Sequence, residues 1–357
     1  MTEQKPYDLG FRMPAEWEMH SATQLHWPSN RHSWPGVRLA KVREVYLNLI
    51  EALHRYEPIL LFKSPDVPRS EVVGLLRTKD IDPDEIRIFD IPLNDVWARD
   101  CGPIFIRREQ NGEISYAVTD WEYNAWGGKY PPYDADNALP AFIASAYHLP
   151  LFRPQMILEG GSIDTNGEGL FLTTEAVLLN RNRNPHLSRE EIFSRLQQYL
   201  GAEKIIWLKN GLEGDDTDGH IDDLSRFLNK NTVLTMICED PDDINYAALK
   251  ENLEILQSAT DLDGNPLNIV TLPLPSTKIE GTTADGSEHV PASYANFYLA
   301  NGVVLVPLYD PDTDTDALDL FSTFFPDRDV VGIECSDLVW GQGSIHCITQ
   351  QLYGIGE

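Results

Sequence analysis

Long apolar runs are missing from this sequence. None approaches the roughly 18 residues that a membrane-spanning helix needs, and the first 13 residues contain no apolar stretch like that of a secretory signal. Hydrophobic residues make up 42% and charged residues 24% of the chain, as in folded globular proteins. We therefore expect a folded cytoplasmic protein with no membrane partner.

Cysteine is scarce and widely spaced. The four cysteines are Cys101, Cys238, Cys335 and Cys347, and none is close enough to another to predict a zinc site, a redox dithiol or a disulfide framework. Free thiols are expected. Cys238 lies in an apolar run, which favours a buried core position, whereas Cys347 has polar neighbours and two glycines before it.

Basic residues are half as frequent as acidic ones. The 28 Lys and Arg against 56 Asp and Glu give a formal net charge of −28. Nucleic acids and anionic membranes associate first through attraction between cationic side chains and phosphates, so neither is an expected partner. A small cationic molecule is the partner that this charge favours, with solubility alone as the other explanation.

No linker rich in proline, glycine or serine divides the chain, and no literal repeat is present. The sequence therefore predicts one domain over residues 1–357. It leaves the oligomeric state open, and a homo-oligomer is compatible with it.

Short strands outnumber helices in the periodicity of the chain. Strands are predicted at 58–62, 86–91, 104–107, 115–119, 156–162, 170–173, 177–179, 204–208, 224–228, 232–237, 268–272, 295–299, 303–307, 330–334 and 345–349. Helices are predicted at 35–56, 188–200 and 242–260, the second with a capping box of Ser188 and Glu191. Helices this far apart, each flanked by several strands, predict a mixed α/β fold of repeated strand-and-helix units rather than one doubly wound sheet.

Irregular stretches at 121–137, 209–219 and 277–291 are rich in glycine, proline and aspartate. Long loops of this kind in a compact domain often carry function. We expect some of them to border a site.

Two acids, a tryptophan and an arginine crowd into residues 94–103, just before a predicted strand. Asp100 is the acid nearest the strand entrance. A surface ion network that pairs Arg99 with Asp95 or Asp100 is the structural alternative.

Residues 157–164 place Glu159 within an apolar stretch and follow it with two glycines. A buried carboxylate without a partner costs several kcal/mol or takes up a proton, so Glu159 should have a specific cationic or proton-donating neighbour. The glycines allow close approach of another group. The alternative is a glutamate on the solvent side of a strand.

An aspartate-rich stretch, residues 214–223, leads into a predicted strand. If the strand begins at His220, alternation places His220 and Asp222 on one face, where both can point at one ligand. An acidic loop that ends at a capping histidine is the alternative, and the spacing of a calcium-binding EF-hand is absent.

Glycines also come before Cys347, in residues 341–350. They permit a tight backbone path that presents the thiol to a pocket. His346 is adjacent, but neighbouring residues on a strand face opposite sides, so His346 is not the expected partner of Cys347. A plain core cysteine is the alternative.

Together the four segments resemble the signature of the agmatine deiminase and bacterial peptidylarginine deiminase family, within the guanidine-modifying (pentein) superfamily. The matching residues, in the family's order and approximate spacing, are Trp97–Asp100 with Gly102 and Pro103, Leu158–Gly161, His220 with Asp222, and Gly341–Cys347. The resemblance covers nearly the whole chain, including residues 23–28, 180–185 and 291–297.

The resemblance implies a five-bladed α/β propeller around a central acidic pocket. It also implies roles for five residues: Cys347 as nucleophile, His220 as general acid and base, Glu159 as its orienting carboxylate, and Asp100 and Asp222 as the groups that hold a guanidinium. Trp97, Trp126 and Gly341, which lie in matching segments, are expected at the substrate.

The chemistry of a guanidinium accounts for these residue types. The group is planar and cationic, so carboxylates can bind its edges and leave the face of its carbon open to a thiolate. A covalent amidino-thioether then divides hydrolysis into two displacements, with His220 moving the protons. No metal or cofactor is required, because a bound metal cation would compete for the same carboxylates.

The substrate is expected to lack a carboxylate. The peptidylarginine branch holds a carboxylate with arginines in a pocket loop, and the matching residues 123–130 contain none, although Lys129 is present. Agmatine ends in an ammonium group, which one of Asp215, Asp216 and Asp218 can receive; we select Asp216. The alternatives are a peptidylarginine or free arginine deiminase, an amidinotransferase of the same superfamily, and a non-catalytic polyamine-binding propeller.

Overall fold

Five small β-sheets form the framework of the protein. The computed structural model describes residues 4–276, 283, 286 and 289–356, and within these ranges 16 strands occur. One sheet has four strands and the other four sheets have three each.

The five sheets share one order of strands. In each, the first strand pairs antiparallel with the second, and the second pairs parallel with the third. The strands, sheet by sheet, are β16 (Thr349–Leu352), β1 (Ala22–His26), β2 (Ile59–Lys63) and β3 (Ile86–Asp90); β4 (Ile104–Gln110), β5 (Glu113–Thr119) and β6 (Leu151–Phe152); β7 (Asp164–Thr165), β8 (Leu170–Thr174) and β9 (Lys204–Leu208); β10 (Ser225–Asn229), β11 (Thr232–Ile237) and β12 (Asn268–Pro273); β13 (Tyr298–Ala300), β14 (Val303–Leu308) and β15 (Asp329–Glu334).

A helix joins each parallel pair of strands, because parallel neighbours need a crossover connection. The six crossover helices are Arg38–Leu53, Arg69–Arg77, Leu139–Ala146, Arg189–Leu200, Tyr246–Ser258 and Pro311–Phe324. Shorter α-helical turns occur at Ala98–Cys101, Ala125–Gly128, Asp134–Asn137, Glu175–Leu178 and Ser336–Val339, and 3₁₀ turns at Tyr7–Leu9, Pro83–Glu85, Gly160–Ser162, Ile221–Asp223 and Tyr294–Asn296.

The three predicted helices are confirmed. Each buries the apolar stripe that predicted it, as Leu39, Val42, Leu49 and Leu53 show on the first. The capping box at Ser188 is present: its side chain accepts from the backbone of Glu191, whose own side chain accepts from the backbone of Ser188.

The ring of sheets is closed by its two ends. Strand β16, near the C-terminus, pairs antiparallel with β1, with Ala22 opposite Leu352 and Leu25 opposite Thr349. The sheet that contains β1, β2 and β3 therefore takes its first strand, β16, from the C-terminal part of the chain. Five sheets of one order confirm the five-bladed propeller that the resemblance implies.

Most predicted strands overlap observed ones, but three are wrong. Residues 156–162 end in the 3₁₀ turn Gly160–Ser162, residues 177–179 belong to the helical turn Glu175–Leu178, and β16 starts only at Thr349. The strand after His220 likewise begins later, at Ser225, behind the turn Ile221–Asp223. Most residues of these segments are buried, although Leu179 is exposed, so their apolar character reflects burial and not a strand.

Five short segments, which we call the entrance turns, lead into the first strand of each sheet. They are Ala98–Cys101 before β4, Gly160–Ser162 before β7, Ile221–Asp223 before β10, Tyr294–Asn296 before β13, and residues 341–348 before β16.

Neighbouring entrance turns contact one another. The backbone N–H of Arg99 donates to the carbonyl of Cys347 at 3.1 Å, and that of His346 donates to the carbonyl of Asn296 at 3.1 Å. The N–H of Gly161 donates to Asp100 Oδ1 at 3.0 Å. The entrance turns thus meet at the centre of the molecule, where the site lies.

Among the described residues no helix is long and apolar enough to cross a membrane.

Candidate active site

A cleft with a free volume of about 470 Å³, its mouth included, opens at the entrance turns. The residues that line it are Ser33, Asp95, Trp97, Asp100, Trp126, Tyr130, Asp216, Thr217, Gly341, Gln342 and Cys347. Six of the predicted residues belong to this lining, and they come from four separate segments of the chain. Three of the lining residues are acids, and in the described part of the chain no lysine, arginine or histidine lines the cleft.

Cys347 is buried, with 4% of its surface exposed, at the end of the entrance turn before β16. Its Sγ lies 3.2 Å from Asn296 Nδ2 and 3.8 Å from Asp222 Oδ2. Burial raises the pKa of the Cys347 thiol well above its ordinary value, and the charges of Asp222, Asp223 and Asp100 raise it further. The thiol is therefore neutral near pH 7 until a cation arrives.

His220 is fully buried among three carboxylates. Its Nδ1 lies 3.6 Å from Asp100 Oδ1 and 3.9 Å from Asp222 Oδ1, and its Nε2 lies 4.0 Å from Glu159 Oε2. Burial lowers the pKa of His220, but attraction to Asp100, Asp222 and Glu159 outweighs burial, and the net shift is upward. The imidazole is thus poised to hold a proton.

Glu159 has the cationic neighbour that its burial requires. Its Oε1 accepts a hydrogen bond from Arg183 Nε at 2.6 Å, and both side chains are wholly buried. Arg183 is in turn held by Asp218 Oδ2 at 2.6 Å and by the carbonyl of Thr217 at 2.8 Å. One oxygen of Glu159 is therefore fixed while Oε2 faces His220.

Asp100 and Asp222 differ in their electrostatic surroundings. Burial raises the pKa of Asp100 to about 6, although the nearby His220 opposes the rise. Burial also raises the pKa of Asp222, but hydrogen bonding and attraction to His346 outweigh it, and the net shift is downward. Asp222 therefore stays ionised under conditions in which Asp100 takes up a proton.

His346 lies against Asp222 rather than against the thiol. Its Nδ1 is 2.7 Å from Asp222 Oδ2 and its Nε2 is 2.8 Å from Glu16 Oε2. The expectation that His346 is not the direct partner of Cys347 agrees with these contacts. The argument from strand alternation was wrong, however, because residues 345–348 form a turn.

Several buried polar atoms at this centre have no hydrogen-bond partner among the described residues. They are Glu159 Oε2, both ring nitrogens of His220, and Asp222 Oδ1. Buried polar atoms without a partner are rare in native proteins, and a catalytic role is one of their explanations. The two carboxylate oxygens suit a ligand that carries several N–H groups and a positive charge.

Gly161 explains why glycine follows Glu159. A Cβ at this position would lie 2.7 Å from His220 Nδ1, 2.8 Å from Asp100 Oδ1 and 2.9 Å from Asp222 Oδ2. The sequence predicts that these glycines let another group approach closely. At Gly161 the groups that approach are polar side chains of the site itself. Gly341 is constrained in a similar way, because a Cβ there would lie 2.5 Å from the ring of Trp34.

The three aspartates before His220 have different surroundings. Asp215 accepts from the backbone N–H groups of Thr217 and Gly219, and Asp218 pairs with Arg183 and with Lys129 at 2.9 Å. Only Asp216 lines the cleft, where its Oδ2 accepts from the hydroxyl of Tyr130 at 2.6 Å.

A family model described as Porphyromonas-type peptidyl-arginine deiminase matches residues 12–352 of the chain. The chain belongs to this family. It is 37% identical over 378 residues to an agmatine deiminase of Medicago truncatula, with 98% of each chain covered. Its fold is similar to that of the agmatine deiminase of Enterococcus faecalis, with a TM-score of 0.88, 34% identity, and 99% and 98% of the two chains covered. It is also similar to a cysteine-to-serine variant of C. jejuni agmatine deiminase solved with substrate bound, with a TM-score of 0.84, 31% identity, and 97% of each chain covered.

Sequence reasoning missed several residues of this deiminase-family site. Arg183 and Asn296 contact the predicted residues directly, and Tyr130 contacts Asp216. Arg183 and Asn296 do lie in stretches, 180–185 and 291–297, that take part in the family resemblance. The signal was therefore available, but no local motif distinguished these two residues from their neighbours.

Asp222, Asp223 and Cys347 are the group at this site whose ligand atoms lie close enough together to hold a metal ion. Each carboxylate already has a partner: Asp222 Oδ2 is bonded to His346, and Asp223 Oδ1 accepts from Asn296 Nδ2 at 2.8 Å. A metal would have to displace these bonds. An organic cation fits these residues better than a metal ion, because it can bind Asp222 Oδ1, which accepts no hydrogen bond from the described residues.

Proposed function

We propose that this protein is an agmatine deiminase, which hydrolyses agmatine to N-carbamoylputrescine and ammonia. Its relatives from Medicago truncatula, Enterococcus faecalis and C. jejuni carry that name. The product is a carbamoylated diamine, one hydrolysis away from putrescine. Four free cysteines suit a reducing compartment such as the cytoplasm.

The observation that carries this proposal is the charge of the cleft. The lining includes separate acidic groups, among them Asp100 and, bonded to Tyr130, Asp216, and no basic residue among those described belongs to it. A ligand with a cation at each end matches this pattern. Agmatine has a guanidinium at one end and an ammonium at the other.

Asp100 and Asp222 bind the guanidinium in this proposal. Among the described residues, Asp222 Oδ1 accepts no hydrogen bond, and Asp100 Oδ1 and Oδ2 each accept one, from Gly161 N–H and Trp126 Nε1. A carboxylate oxygen accepts more than one bond, so both residues retain capacity for guanidinium N–H groups. Held by its edges, the guanidinium presents the face of its carbon to Cys347 Sγ.

The bound cation activates the thiol. Cys347 is protonated in the free enzyme because burial and the surrounding acids disfavour the thiolate, and a guanidinium between those acids offsets their negative charge. The thiol proton is released to solvent as the cation takes its place. The thiolate then attacks the guanidinium carbon, and an S–C bond forms to give a tetrahedral adduct.

His220 moves the protons of the two displacements. It donates a proton to the leaving nitrogen as the C–N bond breaks, which releases ammonia and leaves the amidino-thioether on Cys347. It then takes a proton from a water molecule that attacks the same carbon, and the S–C bond breaks to return the thiolate and the ureido product. Glu159, fixed by Arg183, orients the imidazole for both steps.

The substrate chain and its ammonium occupy the outer part of the cleft. Trp97, Trp126 and Gly341 provide walls for the methylene chain, and Asp216 receives the ammonium. Lys129 is engaged by Asp218 and by the backbone of Asp216 rather than lying in the lining. A free arginine would bring its carboxylate toward acids, so arginine and peptides that end in arginine are disfavoured.

Turnover of three substrates tests the proposal. Purified protein is incubated with agmatine, with free arginine and with a peptide that ends in arginine, and ureido product is measured. We expect product from agmatine with kcat/KM at least about a hundredfold above the other two, since a buried like-charge contact costs about 3 kcal/mol or more. Turnover of arginine or the peptide without turnover of agmatine would refute the choice of substrate.

Two cysteine variants control that measurement. Cys347→Ser should abolish turnover, while Cys238→Ser, in a half-buried cysteine outside the site, should keep it. Full activity of Cys347→Ser would show that Cys347 is not the nucleophile.

A further inference from the structure

Glu16 is a buried carboxylate in the chain before β1, and its contacts reach four of the five sheets or their entrance turns. Its Oε1 accepts from the backbone N–H of Leu299 at 2.9 Å and lies 3.0 Å from Arg226 Nη2. Its Oε2 accepts from Arg99 Nη2 at 3.2 Å and lies 2.8 Å from His346 Nε2. These contacts fix the position of both carboxylate oxygens.

His346 connects Glu16 to the site. Its Nδ1 lies 2.7 Å from Asp222 Oδ2, so each ring nitrogen has a carboxylate oxygen within hydrogen-bond distance. A neutral imidazole has one N–H and one lone pair, so one of the two contacts would place a lone pair against an ionised carboxylate. Only the imidazolium donates at both nitrogens. Two ionised acids at these positions therefore require a positively charged His346.

The surroundings favour the ionised form of both acids. Burial raises the pKa of Glu16, but attraction to Arg226, His346 and Arg99 outweighs burial and holds the pKa well below its ordinary value. Burial raises the pKa of Asp222 too, but the hydrogen bond from His346 and the attraction to it outweigh burial. Glu16 has two arginines beside it, whereas Asp222 depends mainly on His346.

Other charged and titratable groups also act on Glu16, His346 or Asp222. They are Arg99, Arg226, Asp164, His220, Asp100, Asp223 and Cys347. The two arginines contact Glu16, and the additional acids and the thiol lie near Asp222. Among the described side chains, His346 is the cation that is hydrogen-bonded to Asp222. The charge of this one ring therefore matters most for Asp222.

We propose that Glu16 is a positioning residue: it holds His346 as an imidazolium, which fixes Asp222 Oδ2 and leaves Asp222 Oδ1 to bind the guanidinium. This inference rests on the proposed role of Asp222 in binding the substrate. Glu16 does not line the cleft, so it acts through His346. His346 keeps both ring protons throughout turnover, and proton transfer remains with His220.

The first test locates the hydrogens of His346 directly. Neutron diffraction is measured from crystals of deuterated wild-type protein, without ligand, at about pH 7.5. We expect deuterium on both Nδ1 and Nε2 of His346 and none on the carboxylates of Glu16 and Asp222. A single deuteron on the ring, or a deuteron on either carboxylate, would overturn the proposal.

Glu16→Gln removes the charge and keeps the shape of the side chain. The N–H groups of Leu299 and Arg226 are donors, so they keep the amide oxygen on their side, and the NH₂ group faces His346 Nε2. That nitrogen must then accept a hydrogen bond, and the ring is neutral. Without the attraction to an imidazolium, the pKa of Asp222 rises.

The second test compares kcat/KM of Glu16→Gln and wild type for agmatine from pH 6 to 8.5. Only the ionised form of Asp222 binds the cation, so the loss should be greatest at low pH. We expect kcat/KM to be about tenfold below wild type at pH 6 and less than about threefold below it at pH 8.5, since removal of an adjacent opposite charge moves a pKa by one unit or more. A ratio that is the same at every pH would assign Glu16 a structural role alone and would refute the proposal.

Glu57→Gln is the matched control. Glu57 is a buried glutamate that also contacts a histidine and a backbone N–H: its Oε1 lies 3.3 Å from His20 Nδ1, and its Oε2 accepts from Asn301 N–H at 2.8 Å. It does not line the cleft. This variant should be less stable, but its kcat/KM should follow that of wild type at every pH. A pH-dependent loss of equal size in both variants would contradict the proposal.

Two further outcomes are distinguishable. If Glu16→Gln does not fold, the neutron structure of the wild-type protein decides whether His346 is an imidazolium. If the wild-type protein does not turn over agmatine, the proposed substrate fails. The Kd of methylguanidine, measured by calorimetry over the same pH range, then replaces kcat/KM, and the same dependence on pH is expected.

Discussion

Asp100 is the carboxylate whose proton most directly affects substrate binding. It is buried beside Asp222 and Glu159, and its pKa is raised to about 6, whereas the pKa of Asp222 is lowered. As the pH falls through 6, Asp100 becomes neutral while Asp222 remains charged. One of the two groups that hold the guanidinium is then lost.

This predicts an acid limb in the activity profile. We expect kcat/KM for agmatine to fall by up to about tenfold per pH unit below about pH 6, because only the ionised form of Asp100 binds the cation. Agmatine keeps both of its charges over this range. The measurement is kcat/KM from pH 4.5 to 8, with thermal melting at each pH to show that the protein stays folded. A level profile down to pH 5 would contradict the assignment.

Asp216 permits a separate test of the ammonium end. Asp216→Asn removes the charge but keeps an oxygen for the hydroxyl of Tyr130. We expect KM for agmatine to rise about tenfold to a hundredfold with little change in kcat, since a hydrogen bond between charged groups contributes about 1.5–3 kcal/mol. Butylguanidine, which lacks the ammonium, is the control substrate, and its KM should not change. An equal rise for both substrates would show that Asp216 acts on the cleft as a whole.

At this scale the sequence predicted the reactive groups better than their partners. Cys347, His220 and Asp222 stood out because their types and neighbours suggest chemistry. The partners of Glu159 and Cys347, Arg183 and Asn296, did not, because an arginine or asparagine in a loop has many ordinary uses. Only the fold brings Arg183 to Glu159, 24 positions away.

The entrance turns are the elements that build the site. Each is short, buried and placed where a sheet begins, so its side chains and backbone point toward the centre rather than along a strand. Local pattern could not identify them, since the run from Met156 to Ile163 is apolar enough to suggest a strand. The crossover helices, in contrast, have one buried and one exposed face, and periodicity located three of them closely.

Because an entrance turn is closely packed, one added methyl group there should strongly reduce activity. Gly161→Ala places a Cβ within 3 Å of His220, Asp100 and Asp222, so these groups must move apart. We expect kcat to fall at least about a hundredfold, because displacement of catalytic groups by about 1 Å has that effect. Steady-state kinetics and circular dichroism check that activity falls while the fold persists.

Gly74→Ala is the control for that substitution. Gly74 lies in the crossover helix Arg69–Arg77 with nothing within 4 Å of the added Cβ. Alanine there should leave kcat unchanged and raise stability by up to about 1 kcal/mol, since glycine is unfavourable within a helix. Wild-type activity of Gly161→Ala would mean that the three groups are not packed around this glycine.

The whole molecule is held together by a repeat that the sequence does not display. Each sheet repeats one antiparallel and one parallel pairing, but the strands vary in length from two to seven residues and no residues recur at fixed spacing. Periodicity could therefore predict repeated strand-and-helix units and not their number. The count of five came from the family resemblance. The sequence also did not predict that β1 and β16 close the ring. No strand was predicted at β1, and the strand predicted at 345–349 overlaps β16 only at its first residue.

The charge of the whole molecule acts on substrate binding in addition to the groups of the cleft. A formal net charge of −28 creates a field that attracts cations toward the cleft, and dissolved salt screens this field over about 10 Å at 0.1 M. The field acts on each charge of a ligand. A dication should therefore lose more affinity than a monocation as salt is added.

Calorimetric titration of Cys347→Ser, which should bind substrate without turning it over, measures this difference. Between about 0.02 M and 0.5 M NaCl we expect the Kd of agmatine to rise about threefold to tenfold and that of butylguanidine to rise by about the square root of that factor. Potassium and tetramethylammonium chlorides should give the same slopes, because screening depends on ionic strength and not on the identity of the cation. Equal slopes for the two ligands would mean that only the buried carboxylates of the site, and not the charge of the molecule, attract the substrate.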